Sequence, residues 1–196
     1  MRYIIDIRLV EIHDPVIWRR IAIPMKLTFH SFHLILQAAM GWENQHLYSF
    51  KENKKSRYFH VVSPYSEEFG IDGTRTSASK ILWSYCNQFS PEEEPRDKLY
   101  YEYDYGDGWL HEIDVAEFDG SDRISAELLD GSGACPPENC GGVPGFVRMK
   151  AYLSGLMPRE EYYDWMTAAE AEDFDINAFD LTQLSLRVKG WKVLRR

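Results

Sequence analysis

Hydrophobic and polar side chains alternate at the start of the chain, and a period of two is typical of β-strands. Residues 2–11 follow this pattern, and residues 16–23 follow it again up to Pro24. The hydrophobic face of the first segment carries Tyr3, Ile5, Ile7 and Leu9. The connection between the two segments is short and contains Asp14-Pro15, so we predict an antiparallel hairpin.

The hydrophobic spacing then changes to that of a helix. Thr28 has the side chain of a helix N-cap, and Gly41 is suited to the left-handed position that ends a helix. Between them the hydrophobic positions at helical spacing are Phe29, Phe32, Leu36, Ala39 and Met40. This segment is the clearest helix that the sequence predicts.

The remaining pattern predicts more strands than helices. Strong strand patterns occupy residues 98–105 and 109–118, and shorter ones occupy residues 46–51, 57–62, 123–129 and 181–188. Helices are predicted at residues 79–86, 146–156 and 159–171, and irregular segments at residues 63–75, 87–98 and 131–145. The fold class that follows is α+β, with a largely antiparallel mixed sheet packed with a few helices in a single compact domain spanning residues 1–196.

The dipeptide Asp107-Gly108 lies between two strand patterns and favours a two-residue hairpin turn. In that register Asp104 and His111 are direct cross-strand neighbours, with Cβ atoms about 4.5–5.5 Å apart. Moving the turn by one residue instead puts Asp104 opposite Trp109. A neighbouring Asp and His form either an ion pair in the sheet or part of a metal site, and the sequence leaves both open.

Composition limits the class of protein. Of the 196 residues, 44% are hydrophobic and 27% are charged, so the chain can bury an ordinary core. It lacks any hydrophobic run of the ~18 residues that a membrane span needs. Three dispersed cysteines fit a reducing compartment, so we expect a cytoplasmic protein without a membrane segment.

The net charge of −9 is distributed unevenly. Residues 1–60 carry 9 basic and 5 acidic side chains, whereas residues 61–196 carry 13 and 26. Non-specific nucleic-acid binding requires a dense basic surface, so the acidic majority argues against it. The basic first part leaves room for a local contact with a small anion.

A metal site is the first hypothesis for chemistry. Candidate zinc ligands are His46, Asp104, His111, Cys135 and Cys140, with Asp107 as a further donor. The cysteine spacing is longer than in common zinc knuckles, and a second cysteine pair is absent from the sequence. The alternative interpretation is that both thiols occupy a loop whose Gly and Pro residues serve packing.

A ligand or anion pocket without metal is the second hypothesis. Arginine binds phosphate and carboxylate groups through two parallel hydrogen bonds, and glycine amides at a helix start also receive anions. The candidate residues are Arg19, Arg20, Asp107, Trp109, Gly141 and Gly142. Strand alternation directs Arg19 and Arg20 to opposite faces, so a single pocket receives only one of them. Structural pairing of the arginines is the alternative.

Four sequence blocks together resemble the plasmid pRiA4b ORF-3-like family. The blocks are PVIWRR at 15–20, QAAMGW at 37–42 followed by His46-Leu47, YDYGDGWLHEI at 103–113 and GACPPENCGG at 133–142. The resemblance runs from about residue 3 to 155, which leaves residues 156–196 as a C-terminal extension. It implies an intracellular bacterial or archaeal protein with an α+β fold and without an established activity.

The chain departs from the family pattern at three positions. Tyr48 stands where many members have a second histidine, Asn139 stands where an Asp is usual, and Tyr105 replaces a Phe. The first two departures remove potential metal ligands.

We therefore predict a non-enzymatic binding or interaction domain with an unknown protein or a small anionic ligand as its partner. Its functional face is expected where the hairpin of Asp104 and His111, His46 and the loop at 135–145 meet. The alternative is a metal-dependent hydrolase or nuclease that uses the same hairpin and the Cys135–Cys140 loop, with zinc as the expected metal. The sequence leaves the question of enzymatic activity open.

Overall fold

The strands of the described residues form one eight-stranded sheet. The computed structural model describes residues 1–52, 54, 61–62, 71–79, 81–82, 98–162 and 166–194. Within them the strands are β1 (Arg2–His13), β2 (Val16–Pro24), β3 (Tyr48–Lys51), β4 (Val61–Val62), β5 (Ile71–Asp72), β6 (Leu99–Tyr103), β7 (Trp109–Asp119) and β8 (Glu127–Ser132). Their order in the sheet is β5-β4-β3-β6-β7-β1-β2-β8.

The sheet is antiparallel except for the parallel pair β4–β5. The predicted fold class, a largely antiparallel mixed sheet with a few helices, is confirmed. The predicted hairpin of β1 and β2 is also confirmed, because the two strands pair antiparallel from Arg2 and Pro24 onward. The alternating hydrophobic residues of β1 are buried as a set, namely Tyr3, Ile5, Ile7 and Leu9.

The helices are α1 (Phe29–Met40), α2 (Gly142–Leu153), α3 (Ala168–Glu172) and α4 (Leu181–Lys189), with 3-10 helices at Arg159–Glu161 and Trp191–Leu194. Both predicted ends of α1 are confirmed. The Thr28 side chain accepts a hydrogen bond from the Ser31 amide, and Gly41 adopts a left-handed φ of 101°. In the described residues, none of the helices is sufficiently long and hydrophobic to cross a membrane.

The predicted strand at residues 181–188 is wrong, because this segment forms helix α4. A short hydrophobic pattern fits both periods, and a local cap decides between them. The Asp180 side chain accepts a hydrogen bond from the Gln183 amide and so starts the helix. The helix lies against edge strand β8, and the Ser185 hydroxyl donates to the Leu128 carbonyl. This packing covers a strand edge that a further strand would otherwise pair with.

Several predicted boundaries are also corrected. The helix predicted at 146–156 begins at Gly142, and the one predicted at 159–171 consists of a 3-10 turn and the separate short helix α3. Strand β8 begins at Glu127 and ends at Ser132, so the first two residues of the predicted irregular segment 131–145 are extended. The strand predicted at residues 46–51 begins at Tyr48.

Other predictions fall partly outside the described residues. Within the loop predicted at 63–75, Ile71–Asp72 instead pairs as β5. Of the helix predicted at 79–86, residues 79, 81 and 82 are helical. Residues 57–60 of the predicted strand at 57–62, residues 83–86 and residues 87–97 lie outside the described part.

Candidate functional site

The hairpin of β6 and β7 has a longer turn than the sequence predicts. Tyr103 pairs with Trp109, and Tyr101 pairs with His111. The predicted neighbours Asp104 and His111 are therefore not paired, and both registers considered from the sequence are wrong. His111 is fully buried and its Nδ1–H donates to the Tyr101 carbonyl at 3.2 Å. Asp104 instead belongs to the turn.

The Asp104 side chain organises the turn that it begins. Its Oδ1 accepts hydrogen bonds from the amides of Gly106 at 2.9 Å and Asp107 at 3.4 Å. The Gly108 amide donates to the Asp104 carbonyl, and Asp104 itself adopts a left-handed φ of 56°. An Asp side chain that binds nearby backbone amides offers the chain an alternative to the sheet ladder. This explains why pairing ends one residue before Asp104.

The second carboxylate oxygen of Asp104 faces His46. The His46 Nε2 atom lies 3.4 Å from Asp104 Oδ2 and 3.7 Å from Glu138 Oε2. Nε2 is buried, and within the described residues it has no hydrogen-bond partner. We define the carboxylate cluster as His46, Asp104, Asp107 and Glu138.

Glu138 is the member of the carboxylate cluster that the sequence analysis missed. Its Oε1 accepts hydrogen bonds from the Glu43 amide and the Tyr103 hydroxyl, each at 3.0 Å. Burial raises the pKa of Tyr103 and the charge of Glu138 raises it further, so the phenol stays a donor. The available sequence signal was the position of Glu138 between Cys135 and Cys140, in a loop already considered for chemistry.

Asp107 joins the turn to the start of α2. The Gly141 amide donates to Asp107 Oδ2 at 3.3 Å. Gly142 has a φ of 67°, and a Cβ atom built on it would lie 2.4 Å from the Asp107 carbonyl oxygen. Only glycine fits this backbone approach. Burial raises the pKa of Asp107, and the charge of Asp104 raises it further against opposing amide hydrogen bonds from Gly142 and Gly141.

Arg19 fixes the start of the loop that carries Glu138. Its guanidinium is buried and donates to the carbonyls of Gly133 at 2.9 Å and Ser132 at 2.7 Å. Two further carbonyls, of Trp18 and Ala39, also accept from it. A buried guanidinium needs such partners because an unsatisfied charge is strongly destabilising.

The indole of Trp42 holds the same loop further along. Its Nε1–H donates to the Pro136 carbonyl at 2.9 Å. The ring packs edge-on against His111 with centroids 5.3 Å apart, and its centroid lies 6.2 Å from that of Trp109. The loop is thus attached at Gly133, Pro136, Glu138 and Gly141, and these attachments together form what we call the loop frame.

The two arginines predicted as anion ligands have intramolecular partners. Arg19 and Arg20 occupy opposite faces of β2 as alternation requires, since Arg19 is buried and Arg20 is exposed. Arg20 forms two hydrogen bonds with Asp6, at 2.8 and 2.7 Å. Trp109 is 1% exposed and lies in the core. These contacts are structural, and anion binding by Arg19, Arg20 or Trp109 stays a prediction.

The predicted zinc ligands are not assembled into one group. Within the described residues, three or more His, Cys, Asp or Glu side chains are nowhere arranged to hold a metal ion. His46 and Asp104 meet in a partly buried position, whereas His111 is fully buried and packs against the Trp42 ring. Cys135 and Cys140 are free thiols, and burial raises the pKa of Cys135. A protonated thiol is a poor ligand and a poor nucleophile.

The structure does bring together the three segments considered from the sequence. The turn of the β6–β7 hairpin, His46 and the loop containing Glu138 and Gly141 contact one another through the carboxylate cluster. Asn44, Asp104 and Asn139, which lie in these segments or beside them, are non-glycine residues with positive φ. Such backbone conformations persist only where surrounding contacts enforce them.

Comparisons with known proteins agree with this architecture. Residues 1–183 match the family model described as plasmid pRiA4b ORF-3-like protein. The chain is similar to uncharacterized protein y4hQ of Sinorhizobium fredii, with 30% identity over 179 residues that cover 89% of this chain and 84% of the relative. A crystal structure of a protein of unknown function, MM3350 from Methanosarcina mazei Go1, is similar with a TM-score of 0.66 and 26% identity. It matches over 92% of this chain and 95% of its own.

Proposed function

The chain belongs to the plasmid pRiA4b ORF-3-like family, and from that premise we propose that it is a non-enzymatic binding domain. The carboxylate cluster is its recognition site, and the group recognised is a lysine or arginine side chain of a partner protein. The relatives named above are of unknown function, so this proposal rests on the geometry of the cluster.

One observation carries the proposal: two carboxylates, Asp104 and Glu138, lie within 4 Å of the His46 imidazole, and within the described residues no Lys or Arg pairs with either of them. Asp107 contacts the same turn through its backbone and accepts from Gly141. Carboxylates held near one another in a partly buried site repel, and a bound cation relieves that repulsion.

The hydrogen bonds of the carboxylate cluster leave one oxygen of Asp104 directed at His46 rather than at an amide. Asp104 uses Oδ1 for the turn, and Oδ2 faces Nε2 of His46. The His46 side chain is 27% exposed, so solvent reaches this edge of the cluster. A guanidinium presents several donors in a plane and is suited to two carboxylates at once.

Features beside the carboxylate cluster favour binding over catalysis. A thiol nucleophile needs a lowered pKa, whereas burial raises the pKa of Cys135. A metal-dependent hydrolase or nuclease needs a ligand group, and the described residues do not contain one of three or more suitable side chains. We therefore do not advance the enzyme hypothesis further.

The test is an NMR titration of the ¹⁵N-labelled protein with N-acetyl-arginine methylamide, using N-acetyl-norleucine methylamide as the neutral probe. We expect saturable shifts of the Gly141 and Gly142 amides with the arginine probe alone. Glu138→Gln should weaken this binding about tenfold, which corresponds to ~1.4 kcal/mol. The matched control Glu161→Gln makes the same charge change at an exposed residue and should bind like the parent.

Results of two kinds would contradict the proposal. One is equal binding by the arginine and neutral probes, or binding that Glu138→Gln leaves unchanged. The other is a failure of the arginine probe to bind while Zn²⁺ shifts the same amides, which would favour a metal site at the carboxylate cluster instead.

A further inference from the structure

A separate cavity of about 640 Å³ lies between the end of β2, the start of β8 and the C-terminal 3-10 helix. Its wall contains hydrophobic side chains from all three segments, including Met25, Leu27, Ala126 and Trp191. Ligand pockets in proteins typically have volumes of about 300–1,000 Å³ and mainly hydrophobic walls. The size and lining of this cavity therefore fit a small organic molecule.

Three lysines line the same cavity, namely Lys26, Lys189 and Lys192. All three are exposed, and in the described residues none of them lies within ion-pair distance of an acidic side chain. Lys192 Nζ lies 5.7 Å from the centroid of the Trp191 ring, so one cation is held over the hydrophobic wall. We call this cavity the lysine-rimmed pocket.

The three lysines form a local group of positive charges on a chain whose net charge is negative. The chain has a net charge of −9, and many basic side chains elsewhere pair with acids, as Arg20 does with Asp6. A hydrogen bond from Arg2 at 2.9 Å lowers the pKa of Glu127. The charge of Lys189 lowers it further. The acid on which Lys189 acts is therefore already paired with Arg2.

We propose that the lysine-rimmed pocket binds a small amphipathic anion, a carboxylate attached to a hydrocarbon body. The hydrocarbon part lies against Met25, Leu27 and Trp191, and the carboxylate lies among the lysine ammonium groups. Hydrophobic burial supplies most of the affinity, and the lysines select a negative head group over a neutral one. This site is distinct from the carboxylate cluster, and its ligand has the opposite charge.

A concave pocket distinguishes this ligand from a lipid surface. Membrane-surface binding requires an extended hydrophobic face flanked by basic residues, whereas these lysines surround a cavity that accommodates a single molecule. The proposal therefore commits to a free small molecule, and vesicles serve as one arm of the test.

The test uses isothermal titration calorimetry with decanoate below its micelle-forming concentration. We expect saturable binding of one decanoate per chain, with at least tenfold weaker binding of decanol. The triple variant replaces the rim, with Lys26→Met, Lys189→Met and Lys192→Met, and should bind decanoate at least tenfold less tightly. The matched control removes the same charge at paired lysines elsewhere, with Lys54→Met, Lys98→Met and Lys150→Met. It should bind like the parent.

A second variant tests the cavity itself. Ser125 is exposed and lines the pocket, so Ser125→Trp introduces a large side chain there while leaving every lysine in place. We expect this variant to lose decanoate binding while its far-UV circular dichroism is unchanged. The proposal is overturned by an absence of saturable binding, by equal affinity for decanol, or by equal losses in the two lysine variants. Binding to phosphatidylserine vesicles that decanoate does not inhibit would overturn it too.

Discussion

The carboxylate cluster and the lysine-rimmed pocket are opposite in charge, and they also differ in how they are built. The cluster is held by hydrogen bonds: buried ones from Arg19 and Trp42, and one from the Glu43 amide, attach the loop that carries Glu138. The pocket has a hydrophobic wall, and its charged residues are exposed lysines without ion pairs in the described residues.

This difference predicts where substitutions act. A buried polar group that loses its partner destabilises the folded state, whereas surface substitutions usually change stability by about 0.5 kcal/mol or less. Changes in the loop frame should therefore alter the free energy of unfolding. Changes in the lysine rim should alter ligand affinity and leave the fold intact.

Arg19→Met should have the largest effect. It leaves four backbone carbonyls without their guanidinium partner, so we expect a loss of about 4 kcal/mol in the free energy of unfolding. Urea denaturation followed by circular dichroism measures this loss. The adjacent Arg20→Met is the matched control, because its exposed ion pair with Asp6 should contribute about 1 kcal/mol or less. If both variants lost similar amounts of unfolding free energy, the buried hydrogen bonds of Arg19 would contribute no more to stability than the exposed ion pair of Arg20.

Gly142→Ala should have the second largest effect on stability. Gly155→Ala is its control, because both glycines have a left-handed φ. Gly142 has a φ of 67° and Gly155 has a φ of 74°, but only Gly142 is crowded, by the carbonyl of Asp107. Gly155→Ala should lower the free energy of unfolding by about 1 kcal/mol, because alanine is less stable than glycine in the left-handed conformation. At Gly142 the clash of the alanine Cβ atom with the Asp107 carbonyl should raise the loss in the free energy of unfolding to about 3 kcal/mol. It should also separate the turn from α2. Thermal unfolding of both variants checks this, and equal losses would contradict the close approach.

The pH dependence of stability should report the buried histidines beside the loop frame. Burial lowers the pKa of His33 to about 3 and of His111 to about 4, from an ordinary value near 6.5. At pH values between the folded and the unfolded pKa of each histidine, the unfolded chain binds more protons than the folded chain. The free energy of unfolding should therefore fall as the pH falls from about 6.5 to 4. For His111 alone this linkage amounts to about 3 kcal/mol at the acidic limit.

Urea unfolding at a series of pH values measures this slope. His111→Gln removes one of the protons that the unfolded chain takes up, so it should reduce the slope of the unfolding free energy against pH. His13 is exposed, and His13→Gln should leave that slope unchanged. A slope that His111→Gln does not alter would contradict the assignment of His111 as a neutral buried side chain.

Much of the fold could be predicted because its signals are local. The hairpin of β1 and β2 follows from alternation, and α1 follows from its spacing, its Thr28 cap and Gly41. The helix at residues 181–189 was predicted wrongly because nine residues with few hydrophobic positions fit two periods. Its Asp180 cap and its packing on β8 decided the outcome.

The sequence predicted which three segments form the candidate site, but it did not predict all of the residues in it. His46, Asp104 and the loop at 135–145 were chosen for their chemistry, and they do meet. Their relations were not predictable, because the pairing of Asp104 with His111 depended on a turn register. The Asp104 side chain overrode that register by binding the turn amides. Glu138 was missed because its contacts with Tyr103 and Glu43 come from distant parts of the chain.

Local sequence patterns were enough to predict the alternating strands and the first helix, and the sequence motifs were enough to identify the family and the polar residues available for a site. These features depend on interactions within a few residues along the chain. The contacts between distant segments could be read only from the folded structure: two carboxylates lie within 4 Å of His46, the Arg19 guanidinium is buried among backbone carbonyls, and three lysines line one hydrophobic cavity. Burial and the partners of each charge are set by segments far apart in sequence, and those two quantities decide what a polar side chain can do.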